Sequence, residues 1–284
     1  MATFQSLPDA VRNNLKDGDT VAFEGFTHLI PHAAAHEVIR YGAKDLTVVR
    51  MTPDVIYDQL IGMGRVKKMI FSYAGNPGVG LLRRMRDAVE NGWPQPLELE
   101  EHSHAAMANA YEAGASGLPL AVLRGYRGVD YQKVNANIKS ITCPFSGEEL
   151  AAVPSVRPDV TFIHAQKADR KGNVLIEGIL GVQKEAALAA KRVVVTVEEV
   201  VDDLDAHFNA CLMPDWTVTA ICTVPGGAHP SYAHGYYIRD NATYIEWDGI
   251  ASDRERFLAW MEDNVINATP ESFAERVEEM RISP

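Results

Sequence analysis

The sequence predicts an α/β fold, with a mainly parallel sheet flanked by helices and a small β-rich lobe. Three observations carry that prediction. Short β-branched runs alternate with helical patterns through the first half of the chain. The middle then breaks into brief extended pieces between Gly- and Pro-containing turns, and from Val160 onward buried strand and helix patterns resume.

In order, Thr20–Phe26, Leu46–Arg50, Lys68–Phe71 and Pro96–Leu99 read as strands. Pro31–Tyr41, Pro53–Ile61, Gly78–Glu90 and Ser103–Ala113 read as the helices between and after them. Pro31 and Pro53 suit a first helical turn, where the missing N–H removes no bond. Leu120–Val122, Ile138–Thr142 and Glu149–Val153 are the short pieces expected to form the lobe. Val160–Gln166 then reads as a buried strand, and Asp169–Asn173 as a turn in which Gly172 allows positive φ. Val174–Glu177 is extended, Gln183–Ala190 helical, and Arg192–Val197 a nearly continuous apolar strand. Val218–Val224 follows as a strand, and Arg254–Asn264 and Pro270–Arg281 as amphipathic helices. No repeat or flexible linker interrupts the chain, so residues 1–284 are expected to form a single domain.

Composition narrows the function. The 284 residues are 46% hydrophobic and 23% charged, as in an ordinary globular protein. A net charge of −11 argues against a nucleic-acid-binding protein, which needs a basic footprint. No apolar run approaches the roughly 20 residues that cross a bilayer, and Met1 to Asp19 resembles neither a secretory nor a transit signal. A cytoplasmic protein without membrane contact is expected. Cys143, Cys211 and Cys222 are odd in number and widely spaced, which suits reduced interior thiols rather than a metal site or disulfide scaffold.

Ligand chemistry concentrates where strands turn into helices. Gly25-Phe26-Thr27-His28-Leu29-Ile30-Pro31 occupies one such position, at the strand ends where open α/β sheets bind ligands. Ser72-Tyr73-Ala74-Gly75-Asn76-Pro77-Gly78 occupies another, and its glycines let a ligand approach backbone N–H groups. Each also reads as a plain turn. Glu98-Leu99-Glu100-Glu101-His102-Ser103-His104 crowds titratable groups at a third junction, where Ser103 is equally an N-cap. His28, His32 and His36 lie four apart, but Pro31 separates His28 from the helix and no Glu or Cys completes a ligand pattern, so no metal is expected. Glu198-Glu199 is expected to end a strand facing solvent or a base, and Pro225–Pro230 to turn the chain or line a pocket. No Gly-x-Ser-x-Gly elbow or activated cysteine supplies a nucleophile.

Taken in order, EGFTHLIP, SYAGNPG, EEHSHAAMANAYEAGASGLP, CPFSGEELAAVPSVRPDVTFIHAQKADRKGNV and EGILGVQKEAALAAKRVVVTVEEVVD make the chain resemble the first subunit of the family I CoA-transferases, from about Gly18 to Tyr237. The branch it is most similar to transfers CoA to dicarboxylic acids such as 3-oxoadipate and glutaconate. The resemblance implies the fold of that family and a homologous B subunit, commonly in an A2B2 assembly. A glutamate of the B subunit would attack the thioester, succinyl-CoA for instance, and carry the acyl group and then CoA. It also implies no permanently bound cofactor, coenzyme A thioester being a substrate. In the family a polar side chain fifteen residues before the proline of a Gly-x-Pro segment faces that glutamate. Gly117-Leu118-Pro119 puts His104 there, in place of the glutamine of many relatives, with Ser103 as its companion. Gly25, Phe26, Gly75 and Asn76 match loops lining the acyl pocket, and Arg50, Arg124 and Lys167 are the candidate bases for a substrate carboxylate. A CoA-thioester hydrolase on this scaffold, or a sensing or scaffold module of related fold, are the rival readings.

Overall fold

The computed structural model describes residues 2–77, 79–126 and 128–282. The strands are β1 (Thr3–Phe4), β2 (Thr20–Glu24), β3 (Leu46–Arg50), β4 (Val66–Phe71), β5 (Glu98–Glu101), β6 (Leu120–Leu123), β7 (Lys139–Thr142), β8 (Glu149–Pro154), β9 (Val160–Asp169), β10 (Val174–Ile176), β11 (Arg192–Val201), β12 (Cys211–Met213) and β13 (Ala220–Thr223). Among the described residues the main sheet runs β1-β13-β11-β9-β2-β3-β4-β5, all pairs parallel, with β10 and β12 attached antiparallel beside β9. The expected lobe is a separate antiparallel sheet in the order β6-β8-β7.

The helices are α1 (Leu7–Asn14), α2 (His32–Tyr41), α3 (Val55–Gly62), α4 (Arg83–Asn91), α5 (His104–Ala115), α6 (Tyr131–Val134), α7 (Gln183–Ala189), α8 (Asn241–Ala251), α9 (Arg254–Met261) and α10 (Ser272–Arg276). Alternation along the strands divides them between two faces. Phe23, Val48, Met69 and Phe71 point into the core shared with α1, α2 and α3. Ala22 and Val49 point the other way, into the core under α5, α7 and the lobe. The C-terminal helices add a third layer over α2 and α3. Asp58 of α3 holds that layer: it accepts from the Arg84 and Met85 N–H groups at 2.8 Å each and from Trp247 Nε1 at 3.0 Å. Its burial still raises the carboxyl to about 6.

Several boundaries move for identifiable reasons. Pro31 is the cap of α2 rather than its first residue, and Asp54, not Pro53, opens α3, because its carboxylate accepts from Ile56 N at 3.3 Å. The expected helix Gly78–Glu90 begins only at Arg83, and Gly78 lies outside the described residues. The edge strand shifts from Pro96–Leu99 to Glu98–Glu101, where Glu100 turns inward to Lys68. Strand β11 continues past Val197 to Val201 and carries Glu198 and Glu199 within it. Three helices are not read from the sequence: α1 spans eight residues, α6 only four, and α8 buries only Tyr244, Trp247, Ile250 and Ala251. Asn264 falls in a π-helical turn after α9, and the tail ends as α10 and a 3-10 turn rather than one helix. The cysteines are free, but only Cys222 is buried.

Helix α5 joins the lobe to the sheet through an unusually close approach. Val156 N donates to Ala110 O at 2.9 Å, and a Cβ on Gly114 would overlap the Val156 carbonyl oxygen. Gly114→Ala should therefore destabilise the protein by ~2 kcal/mol although alanine favours helix, because backbone rather than a flexible side chain must give way. Thermal unfolding measures this, and an unchanged or higher Tm would mean that α5 and the lobe can separate without cost.

Candidate active site

Because β2, β3, β4 and β5 run parallel, with Arg50 opposite Phe71 and Phe71 opposite Glu101, their carboxyl ends lie side by side and their exit loops touch. Gly25 O accepts from Arg50 Nη2 at 2.8 Å, and Ser72 Oγ donates to Met51 O at 2.5 Å. Gly75 N donates to Pro53 O at 3.1 Å and His102 N to Phe71 O at 2.7 Å. All three loops singled out in the sequence thus meet along one edge, the usual ligand position in an open α/β sheet.

The first loop is folded tightly. A Cβ on Gly25 would lie 2.5 Å from Leu29 O, so only glycine fits. Thr27 and Leu29 take φ of 62° and 53°, a conformation secured by Leu29 N donating to Tyr232 O at 2.9 Å. Phe26 is half-buried against Gly181, and Thr27 is exposed. In the second loop Gly75 is buried beneath the ring of Tyr73, which is itself exposed. The side chain of Asn76 is turned inward: Nδ2 donates to Tyr244 O at 2.7 Å, while Oδ1 has no partner. Asn76 therefore anchors the loop to α8.

The third loop carries the titratable cluster. Ser103 caps α5, its Oγ accepting from Ala106 N at 3.2 Å and its N–H donating to Tyr126 Oη at 2.8 Å. His104 is the first residue of α5 and is exposed beside it. His102 is buried and bonded through Nε2 to Glu100 Oε1 at 2.9 Å, within 3.3 Å of Asn135 Nδ2. Asn135 also donates to Glu101 O at 2.7 Å. Burial pushes the Glu100 carboxyl up, but hydrogen bonds from His102, Lys68 and Asn137 outweigh it and hold the group at about 2. Residues from the lobe connection, Tyr126 and Asn135, thus fix the turn that presents Ser103 and His104.

Two charged residues at this edge are buried, one of them a candidate base from the sequence and the other not singled out there. Arg50 is 1% exposed and spent on Gly25 O and on Asp54 Oδ1 at 3.3 Å, so it shapes the edge and is not available as a substrate base. Glu24, not singled out in the sequence, is the buried acid of the site. Its Oε1 accepts from Tyr111 Oη at 2.8 Å and from Met51 N at 3.3 Å. Burial raises it to about 7 against the opposing pull of Arg50 and Tyr111. The available signal was an acid closing an otherwise apolar strand, TVAFE, directly before a glycine.

Elsewhere, Arg124 is exposed and paired with Glu148 at 3.1 Å. Lys167 faces Glu199 at 3.4 Å in a cleft of about 630 Å3 lined also by Glu177, His207, His234 and Tyr236. Glu198 is buried and satisfied by His164 Nε2 at 2.7 Å, Gly226 N at 2.8 Å and Tyr237 Oη at 2.9 Å, which ties the Pro225–Pro230 turn to the sheet. Among the described residues no group of three or more His, Cys, Asp and Glu is placed to hold a metal ion. No described helix is long and apolar enough to cross a membrane.

The state of Glu24 gives a testable sign. Unfolded, its carboxyl titrates near 4.5; folded, near 7. Between those values the folded chain retains a proton that the unfolded chain has released, so the stability contributed by this group is full below 4.5 and falls as pH rises through 7. Glu24→Gln should remove up to ~1.4 kcal/mol per pH unit of that slope and match or exceed the parent above pH 7. Calorimetric scans at several pH values check this; parallel stability profiles would mean that Glu24 is ionised when folded.

Comparison with known proteins accords with this geometry. The family model described as Coenzyme A transferase matches residues 4–223. The chain is 68% identical over 265 residues to the A-type subunit of 3-oxoadipate CoA-transferase from Pseudomonas knackmussii, covering 93% of this chain and 94% of that one. It is 33% identical over 287 residues to the A-type subunit of glutaconate CoA-transferase from Acidaminococcus fermentans, covering 94% and 89%. The crystal structure of glutaconate coenzyme A-transferase from that organism superimposes with a TM-score of 0.92 at 30% identity, over 100% of this chain and 96% of the other. With the family model matching most of its length and the fold shared across the whole chain, the chain belongs to the coenzyme A transferase family, as a subunit of the A type.

Proposed function

We propose that the chain is the A-type subunit of an enzyme that moves CoA from succinyl-CoA to 3-oxoadipate, as in the degradation of aromatic compounds. The observation that carries this reading is its end-to-end likeness to the 3-oxoadipate CoA-transferase chain of Pseudomonas knackmussii. Residues 1–284 act as one cytoplasmic subunit, paired with a homologous B subunit in an A2B2 assembly.

The catalytic glutamate belongs to the B subunit. It attacks the thioester carbonyl and expels CoA thiolate. The thiolate then attacks the glutamyl carbonyl of the resulting anhydride, giving a glutamyl-CoA thioester and releasing the donor acid as its carboxylate. The acceptor carboxylate attacks that thioester, and the same steps in reverse return the free glutamate and the new acyl-CoA. Each transfer develops negative charge on a carbonyl oxygen, and preorganised donors aimed at that oxygen lower the barrier. His104 is the donor here, exposed at the start of α5 where a partner chain can reach it, and Ser103 fixes it by capping the helix. The loops bearing Gly25, Phe26, Gly75 and Asn76 wall the acyl pocket, Asn76 serving as their anchor. Of the three candidate bases, Lys167 and Arg124 remain for the distal carboxylate.

His104→Ala should reduce turnover about 10²- to 10³-fold with the assembly intact, the usual loss for one oxyanion donor. The assay is CoA exchange from succinyl-CoA with 3-oxoadipate and glutaconate as alternative acceptors, run with both subunits, with this chain alone, and without acceptor. Preference for another acid would replace the acceptor. Free CoA without an acceptor would make the enzyme a hydrolase. Near-normal turnover of the variant would remove His104 from the mechanism.

A further inference from the structure

On the opposite face of the sheet from the α5 turn, α2 and α3 are covered by α8, α9 and α10, and the cover leaves a cavity of about 240 Å3. Most of its wall comes from residues 229–276, beyond the segment 4–223 matched by the family model.

Three histidines reach this cavity. His32, the first residue of α2, has no exposed surface, yet neither ring nitrogen has a hydrogen-bond partner. His36 bonds Gln59 Oε1 through Nε2 at 2.9 Å and His229 bonds Asp240 Oδ2 through Nε2 at 2.9 Å; each keeps an unpartnered Nδ1. Buried polar atoms are rarely left so, because the desolvation cost is then uncompensated. Burial is the main cause that keeps the three imidazoles neutral, holding His36 at about 3.

The cavity also holds an unmatched cation. The guanidinium of Arg276 sits 4.7 Å from the Phe273 ring centroid and donates through Nη2 to Asn264 O at 2.9 Å. Among the described residues no carboxylate pairs with it. Neighbouring Arg40, by contrast, is paired with Glu37 at 2.7 Å. Glu246, the one acid in the lining, is exposed at the rim. Val55, Pro230, Trp247, Ile250 and part of Trp260 form an apolar side of the wall, and Gln59, Thr243 and Asn264 add neutral polar groups.

An unpaired guanidinium, a histidine with both nitrogens free and an apolar wall together suit one ligand class. We propose that this cavity is a second binding site, for a small carboxylate with a short apolar chain. The carboxylate meets Arg276 and His32, and the chain lies against Trp247 and Ile250. The charged and titratable groups around His32 are His36 on α2, Arg50 on β3, His229 in the preceding turn, Arg276 on α10 and Glu246 at the rim. All but Glu246 oppose its protonation, so an anion placed among them restores the proton, and binding is coupled to proton uptake. The site is independent of which acid accepts CoA.

Butyrate is the probe and inorganic phosphate the control, titrated against the full chain assembled with its partner subunit. Trp247 and Trp260 are two of the four tryptophans and report through their fluorescence. Saturable binding is expected for butyrate, weakened at least ~10-fold by Arg276→Gln, largely restored by Arg276→Lys, and losing at most ~10-fold in affinity per unit rise in pH. His32→Leu should lose the affinity while raising Tm, since it removes two unpartnered nitrogens from the interior; a loss of binding in a more stable protein is not unfolding. Absence of saturation up to about 10 mM would leave a water-filled cavity and overturn the proposal. Binding that neither substitution changes would assign the ligand to another site, and phosphate binding in preference to butyrate would overturn the carboxylate assignment.

Discussion

The guanidinium of Arg50 is a full charge closed off from solvent, and the carboxyl edge of the sheet is arranged around compensating it. Its Nη2 takes the carbonyl of Gly25, its Nη1 the carboxylate of Asp54, and its plane lies 5.6 Å from the ring of Tyr57. Tyr57 in turn donates to the carbonyls of Phe23 and Val49 and accepts from Phe23 N. One side chain thereby fixes the exit of β2, the end of β3 and the start of α3. The loop after β2 can then fold back on itself, with Gly25 against Leu29 and two non-glycine residues at positive φ.

The same commitment explains why Arg50 is a poor candidate for gripping substrate. A buried cation with three structural partners cannot turn toward a ligand without leaving a carbonyl and a carboxylate uncompensated. It also sets the electrostatics of its neighbour. Glu24 shares the edge with Arg50, yet burial dominates and favours its protonated form. The acid and the arginine therefore act as architecture behind the loops, while exposed His104 faces outward from α5.

The two faces of the sheet are specialised. On one, α5 and the lobe hold the turn that presents Ser103 and His104, through Tyr126 and Asn135. On the other, the C-terminal helices are held to α3 and α4 by Asp58 with Trp247 and by the Arg254–Asp87 pair at 2.8 Å. The first arrangement falls within the segment matched by the family model. The second is built largely from residues after it, and there the unpartnered nitrogens of His32 and the unpaired Arg276 gather.

The sequence by itself determined the order and type of most elements, because the alternation of Leu46–Arg50 and the apolar run from Arg192 report burial directly. It likewise located the loops after β2, β4 and β5, since glycines and capping residues at strand-to-helix junctions carry a local signal. Helix α8 was not legible, since only four of its eleven residues are buried, while α1 carries the helical spacing Leu7, Ala10, Val11 and Asn14 over a length of just eight residues. What only the tertiary structure decided was the job of each polar residue. Asn76 and Arg50 are chemically fit to meet a ligand, and for Glu24 the only local signal is its place at the end of an apolar strand. Two of them are fixed by elements far away in sequence: Tyr244 lies 168 residues from Asn76, and Tyr111 lies 87 from Glu24; Arg50 is enclosed by the neighbouring loop and α3. Desolvation and hydrogen-bond partners set a side chain's charge and freedom, and both belong to the packed fold rather than to the neighbouring sequence.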